Sequence, residues 1–207
     1  MLFPSIHVIL KCKNNWNLSN RKDIHREIEI IIIDENRLWA ACAKFHGHVC
    51  AGLAIGFKAS LYAIEQLDLS YSEDEDVVCI AECDTCSVDA IQVILGCSVG
   101  KSNLLFHLTG KSAYSFYNRK TGESVRFVLR PRPPIATEEY LNYFLSKEPS
   151  DLFEIKATTL TLPERSRYSR SVACAVCGEE AAEHMLHIQE GKLICKDCAT
   201  IRTSFCL

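Results

Sequence analysis

Two histidines and a cysteine fall within five residues in Phe45-His46-Gly47-His48-Val49-Cys50-Ala51-Gly52, at the head of a long apolar stretch. Neutral imidazole and thiolate are the donors that zinc and similar borderline ions take. A cysteine at a helix N-terminus is also biased towards thiolate, because the helix dipole favours negative charge there. Gly47 and Gly52 let the backbone bend around whatever these donors hold. The plainer reading is a pair of capping or core histidines beside a cysteine that packs as a small hydrophobe.

The C-terminal pattern is sharper. Cys174-x-x-Cys177 is followed after 17 residues by Cys195-x-x-Cys198. Each pair is a tight knuckle offering two thiolates, and two knuckles make a tetrahedral four-cysteine site of the zinc-ribbon kind rather than an iron–sulfur site. The segment is too short for a core of its own, so the metal would supply much of its folding energy. His184 and His187, between the knuckles, read as surface residues.

Helix geometry narrows the ligands of the first cluster. Cys86 and Cys97 flank one expected helix, and eleven residues at a 1.5 Å rise put them roughly 16 Å apart. They cannot both reach a metal held near His48 and Cys50. Cys86 lies at the helix N-terminus and has the better claim; Cys97 ranks below it. A site of His48, Cys50 and Cys86 leaves one position open for water or substrate, the catalytic pattern, whereas four cysteines close a structural one. His46, Asp89 and Lys101 would then orient ligands or move protons. Taken singly, each also reads as an ordinary cap or surface residue.

Two patterns are set aside. Cys79-x-x-x-Cys83-x-x-Cys86 imitates the three-cysteine spacing of radical enzymes that hold a [4Fe–4S] cluster, but Cys79 sits inside an expected strand. Gly96-Cys97-Ser98-Val99-Gly100-Lys101-Ser102 resembles a phosphate loop with its first glycine one residue too close, and it follows a helix instead of a strand.

The elements that must position these groups read as follows. Asp34 caps a short helix through Ala43, and a buried spine helix runs from Gly52 to about Leu67. Leu53, Phe57, Leu61 and Ile64 give that spine an apolar face, while Gly52, Gly56, Ala59 and Ala63 form a small-residue stripe for close approach of another backbone. Val77 to Ala81 reads as a strand, and Ser87 caps a helix that Gly96 stops. Strands follow at Asn103 to Leu108, Ser112 to Tyr117 and Glu123 to Leu129, the last two joined by a turn over Asn118 to Gly122. Thr137 caps a helix to about Ser146, and Leu152 to Leu160 reads as a further strand. Glu27 to Ile33 fits either a strand or the start of a helix, and Asn14 to Asn20 a turn. Strands without regular crossover helices predict an α+β fold, a mixed or antiparallel sheet packed with helices, plus the small cysteine domain. The expected divisions are a 1–33 extension, a 34–161 core, a 162–171 linker and a 172–207 metal domain.

Composition excludes some classes. A net charge of −3 gives no basic face for nucleic acid. The apolar run Ile30 to Ile33 is far too short to span a bilayer, and Leu2 to Leu10 lacks the basic flank and cleavage site of a signal peptide. Twelve cysteines in a chain with 24% charged residues do not resemble a secreted disulfide scaffold, so a reducing cytoplasm is expected.

Four ordered motifs carry a family resemblance: Phe-His-Gly-His-x-Cys at 45–50, Cys-x-x-Asp-Ala-Ile-Gln at 86–92, Gly-Cys-Ser-x-Gly-Lys at 96–101 and Tyr-Asn-Arg-Lys-Thr-Gly at 117–122. Together they resemble the FmdE family, named for the E component of formylmethanofuran dehydrogenase. Ala51 departs from the family's usual proline, and Cys83 is additional. The resemblance implies a mixed α+β core with a metal in a cleft, a treble-clef or zinc-ribbon tail, and a homodimer. It links the chain to molybdenum or tungsten oxidoreductases of CO₂ reduction, and to their subunits as partners. The expected function is a zinc-binding accessory or metal-dependent protein. The alternative is a non-catalytic metal- or thiol-sensing module that docks a partner; a third reading makes both metal sites structural.

Overall fold

The computed structural model describes residues 7–14, 26–162, 164, 165 and 169–199, and over 7–14 and 26–33 the backbone alone. The chain divides into two compact units, Met1–Glu164 and Arg165–Leu207. Most of the turn expected at 14–20 and part of the 162–171 linker lie outside the described residues. Among the described residues, no helix is long and apolar enough to cross a membrane.

In the first unit, β1 (His7–Asn14) and β2 (Arg26–Ile33) form an antiparallel ribbon with Lys11 opposite Glu29 and Lys13 opposite Glu27. Opposite charges directly across a ladder favour this register. Helix α1 (Glu35–His46) starts on Asp34, whose side chain accepts the Arg37 N–H at 3.0 Å. The sequence pattern predicts an end at Ala43, but α1 continues to His46 and ends on Gly47 at φ +88°. That further stretch decides which histidine faces inwards.

The spine is α2 (Ala51–Leu67), buried on nearly all sides. Even Lys58 is buried, its ammonium 4.0 Å from the Glu35 carboxylate. Tyr62 stacks on Phe127 at 4.6 Å between centroids, and Phe127 lies 5.6 Å from Phe116 and 6.0 Å from Phe153. Each such buried ring contributes about 1.5–3 kcal/mol by leaving water.

The rings belong to a five-stranded sheet in the order β4-β3-β5-β6-β7, comprising β3 (Val77–Ala81), β4 (Leu104–Phe106), β5 (Ala113–Asn118), β6 (Ser124–Leu129) and β7 (Phe153–Lys156). Only β3 and β4 are parallel; α3 (Ser87–Leu95) lies between them in the chain, and the other pairings are antiparallel. This is the α+β class that the order of elements predicts.

Several local readings need correction. Ser87 does not cap α3; Cys86 occupies the cap position, and the Ser87 hydroxyl accepts from buried Tyr114 Oη at 2.7 Å. Thr137 is not a cap either: Ala136 holds that position, and the Glu139 carboxylate takes its N–H at 3.0 Å. A single 3₁₀ turn, Thr137–Glu139, then leads into α4 (Tyr140–Ser146). The strand expected from Leu152 to Leu160 is shorter, because Pro149 starts a helical turn, α5 (Pro149–Leu152), ahead of β7.

The second unit holds two short hairpins. β8 (Ser171–Ala173) pairs with β9 (Glu180–Ala182), and β10 (His187–Gln189) with β11 (Lys192–Ile194). The Cys174–Cys177 knuckle turns between β8 and β9, and the Cys195–Cys198 knuckle follows β11.

Candidate metal centre

Three elements bring one donor each to the first cluster. His46 is the last residue of α1, Cys50 is the cap residue of α2 and Cys86 that of α3. One donor atom from each lies within 4.8 Å of the others, at partly exposed positions. His46 Nε2 stands 3.8 Å from Cys50 Sγ. A tetrahedral zinc site has edges of about 3.6 Å between nitrogen and sulfur. The Leu53 N–H donates to Cys50 Sγ at 3.3 Å, a contact that favours thiolate.

The convergence depends on two glycines of the small-residue stripe. A Cβ on Gly52 would meet Cys86 Cβ at 3.1 Å and both cysteine sulfurs just beyond. At Gly56 the backbone of Ser87 fills the space outright. Burial, followed by the adjacent Cys50 sulfur, pushes the Cys86 thiol up. Two thiolates this close repel each other unless a cation lies between them, so the donor set suits a bound dication.

Behind the donors, His46 Nδ1 lies 2.7 Å from Asp89 Oδ2, and Gln92 Nε2 donates to Asp89 Oδ1 at 3.1 Å. The His48 ring is exposed and packs against His46 with centroids 4.3 Å apart. The structure thus groups His46 with Cys50 and Cys86 and leaves His48 beside them. Lys101 is elsewhere: its ammonium donates to the Ser72 carbonyl at 2.6 Å, and Tyr71 lies 5.7 Å from it. Cys97 lies past the far end of α3, fully buried, with its thiol pushed up to about 12 by burial and its Sγ donating to the Val77 carbonyl. The phosphate-loop look-alike therefore serves structure. Gly96 ends α3, Ser98 N–H donates to the buried Asn103 side chain, and Lys101 clasps the 72–73 turn.

Gln92 carries no role in the sequence reading. Cys86, Asp89 and Gln92 recur every three residues, which places them along one face of α3, and that spacing is the signal that points to it.

In the second unit, Cys174, Cys177, Cys195 and Cys198 form the other donor group. Cys177 and Cys195 sulfurs are 3.9 Å apart, near the edge of about 3.8 Å between two zinc-bound thiolates. Backbone N–H groups aimed at Cys174, those of Val176 and Cys195 among them, pull its thiol down to about 6. Protons shared with Cys195 and Cys177 push Cys198 up to about 12. His184 is exposed and bonded to Ser169, outside the cluster.

A mixed α+β core with a mixed imidazole–thiolate cluster, beside a four-cysteine unit, defines a protein class with two groups able to hold metal. The chain belongs to the FmdE family: the profile described as "FmdE, Molybdenum formylmethanofuran dehydrogenase operon" matches residues 45–194. A crystal structure of an FmdE-like protein of tungsten formylmethanofuran dehydrogenase, from Syntrophus aciditrophicus, is similar at a TM-score of 0.60 and 25% identity. That likeness covers 80% of this chain and 92% of the other. A probable S-adenosyl-L-methionine-binding protein from Archaeoglobus fulgidus is 36% identical over 121 residues, 56% of this chain. The matched part is only 31% of that relative's length.

Proposed function

We propose that this protein is a zinc protein whose core site, His46, Cys50 and Cys86, keeps one coordination position for a small ligand. The convergence of three donors from three helices carries this reading. Zinc with three protein ligands polarises a bound group or activates water, whereas the four-cysteine unit is closed and holds its own fold together. The family's name supports a role as an accessory to molybdenum- or tungsten-dependent oxidoreductases, with their subunits as partners. A homodimer working in the cytoplasm completes the proposal.

Elemental analysis of purified wild type and Cys50→Ser tests it. Two metals per chain falling to one supports the core site; one metal in both proteins rejects it. The name of the Archaeoglobus relative makes S-adenosylmethionine the first ligand to titrate. Binding that disappears in Cys50→Ser would assign it to the open position.

A second reading is a sensing or docking module without catalysis. It is favoured by the exposed apolar side chains of the cysteine unit, with Ile188 79% and Val176 63% exposed. A core metal that exchanges freely and binds no external ligand would select it.

A further inference from the structure

We infer that Asp89 and Gln92 are positioning residues that lock the His46 imidazole as its Nδ1–H tautomer, with the Nε2 lone pair directed at the two sulfurs. The inference rests on the core site proposed above and specifies how its nitrogen ligand is prepared. A carboxylate only accepts hydrogen bonds, so the 2.7 Å contact requires the proton on Nδ1. Nε2 is then the free donor, and it is the atom that faces Cys50 Sγ at 3.8 Å.

Asp89 is in turn held from its other side. Its Oδ1 accepts from Gln92 Nε2 at 3.1 Å, so both carboxylate oxygens are engaged within the relay. This leaves Asp89 poorly placed to act as an acid or base towards a bound molecule. The His46 and Asp89 side chains are only 11% and 29% exposed, which limits competition from water. Cys86, Asp89 and Gln92 lie three residues apart, so α3 supplies in one stripe a sulfur ligand, the group that orients the nitrogen ligand, and the group that orients that one. His48, exposed beside the same site, has no carboxylate partner among the described residues. The tether at Nδ1 therefore selects His46 over its neighbour.

The experiment uses the full chain with Asp89→Asn, Asp89→Glu and Gln92→Ala. Core zinc affinity is read by competition with a chromophoric chelator, and the His46 tautomer by ¹H–¹⁵N correlation of the ring in metal-free protein. Asp89→Asn keeps the shape but removes the charge and lets an amide N–H₂ face Nδ1. Its core zinc affinity should fall about 10–100-fold, the range for loss of a ligand's orienting partner, with the four-cysteine metal retained. Asp89→Glu should recover part of the loss, and Gln92→Ala should weaken binding less than Asp89→Asn. Wild-type His46 should carry Nδ1–H, and Asp89→Asn should shift it to a mixture. Wild-type affinity in Asp89→Asn, or an unchanged tautomer, overturns the inference. A wild type holding only the four-cysteine metal instead overturns the core-site reading, and the tautomer measurement still decides whether Asp89 sets His46.

Discussion

The backbone of Ser87 packs directly onto Gly56, leaving no room for a Cβ between α2 and α3. The contact lies one helical turn from Gly52, where the same two helices bring Cys50 and Cys86 together. Gly56→Ala should therefore act at a distance. Forcing a methyl into this seam should cost about 1–3 kcal/mol or more, and should weaken core metal binding because the sulfurs separate. Thermal denaturation and chelator competition read the two effects. Gly100→Ala, with open space around the position, should change neither.

The two histidines of the loop should separate cleanly in a metal assay. His46→Ala should lose the core metal, since its Nε2 is the nitrogen near Cys50. His48→Ala should keep it, because that ring is exposed beside His46. Equal loss in both variants would mean that His48 turns inwards to complete the site.

The four-cysteine unit should fail independently of the core. Cys177→Ser removes one of four donors from a segment whose folding draws on the metal. Amide exchange should become fast over the second unit, residues 165–207, while protection in β3, β5 and α2 stays at the wild-type level. Loss of protection in the core as well would show that the two units fold as one.

A buried ion pair gives the fold an acid-sensitive element. Arg126 Nε donates to Glu82 Oε1 at 2.6 Å, and the Thr109 hydroxyl donates to Oε2 at 3.0 Å. The guanidinium bond, ahead of the opposing effect of burial, holds the Glu82 carboxyl below its ordinary value of 4.5. A depressed folded-state value means that the stabilisation is complete above the ordinary value and is lost as pH falls through the folded one. Glu82→Gln should cost about 3 kcal/mol at pH 7, because it strands a mostly buried guanidinium. That gap to wild type should narrow as the pH drops below 4.5 in urea titrations. A gap independent of pH would show that Glu82 contributes shape and not charge.

Much of this architecture is legible along the chain. The spine helix announces itself by its apolar face at Leu53, Phe57, Leu61 and Ile64, and its glycine stripe announces a close neighbour, which is α3. Val77 to Ala81 is readable as a buried strand because branched side chains fill it. Helix ends are less legible, since Ser87 and Thr137 have cap-like side chains that the fold uses otherwise or leaves outside the cap position.

The sequence by itself determined the cysteine pairs, the glycine stripe and the α+β order of elements, because spacing, lack of a side chain and periodicity are local properties. Only the tertiary structure decided which imidazole stands with the sulfurs. His46 and His48 are two residues apart and chemically alike; the choice between them comes from the last turn of α1 and from Asp89, 43 residues further along the chain. The same is true of Lys101, whose ammonium is bound by the Ser72 carbonyl instead of the metal cluster. Both outcomes depend on where a distant backbone lies, and no local pattern carries that distance.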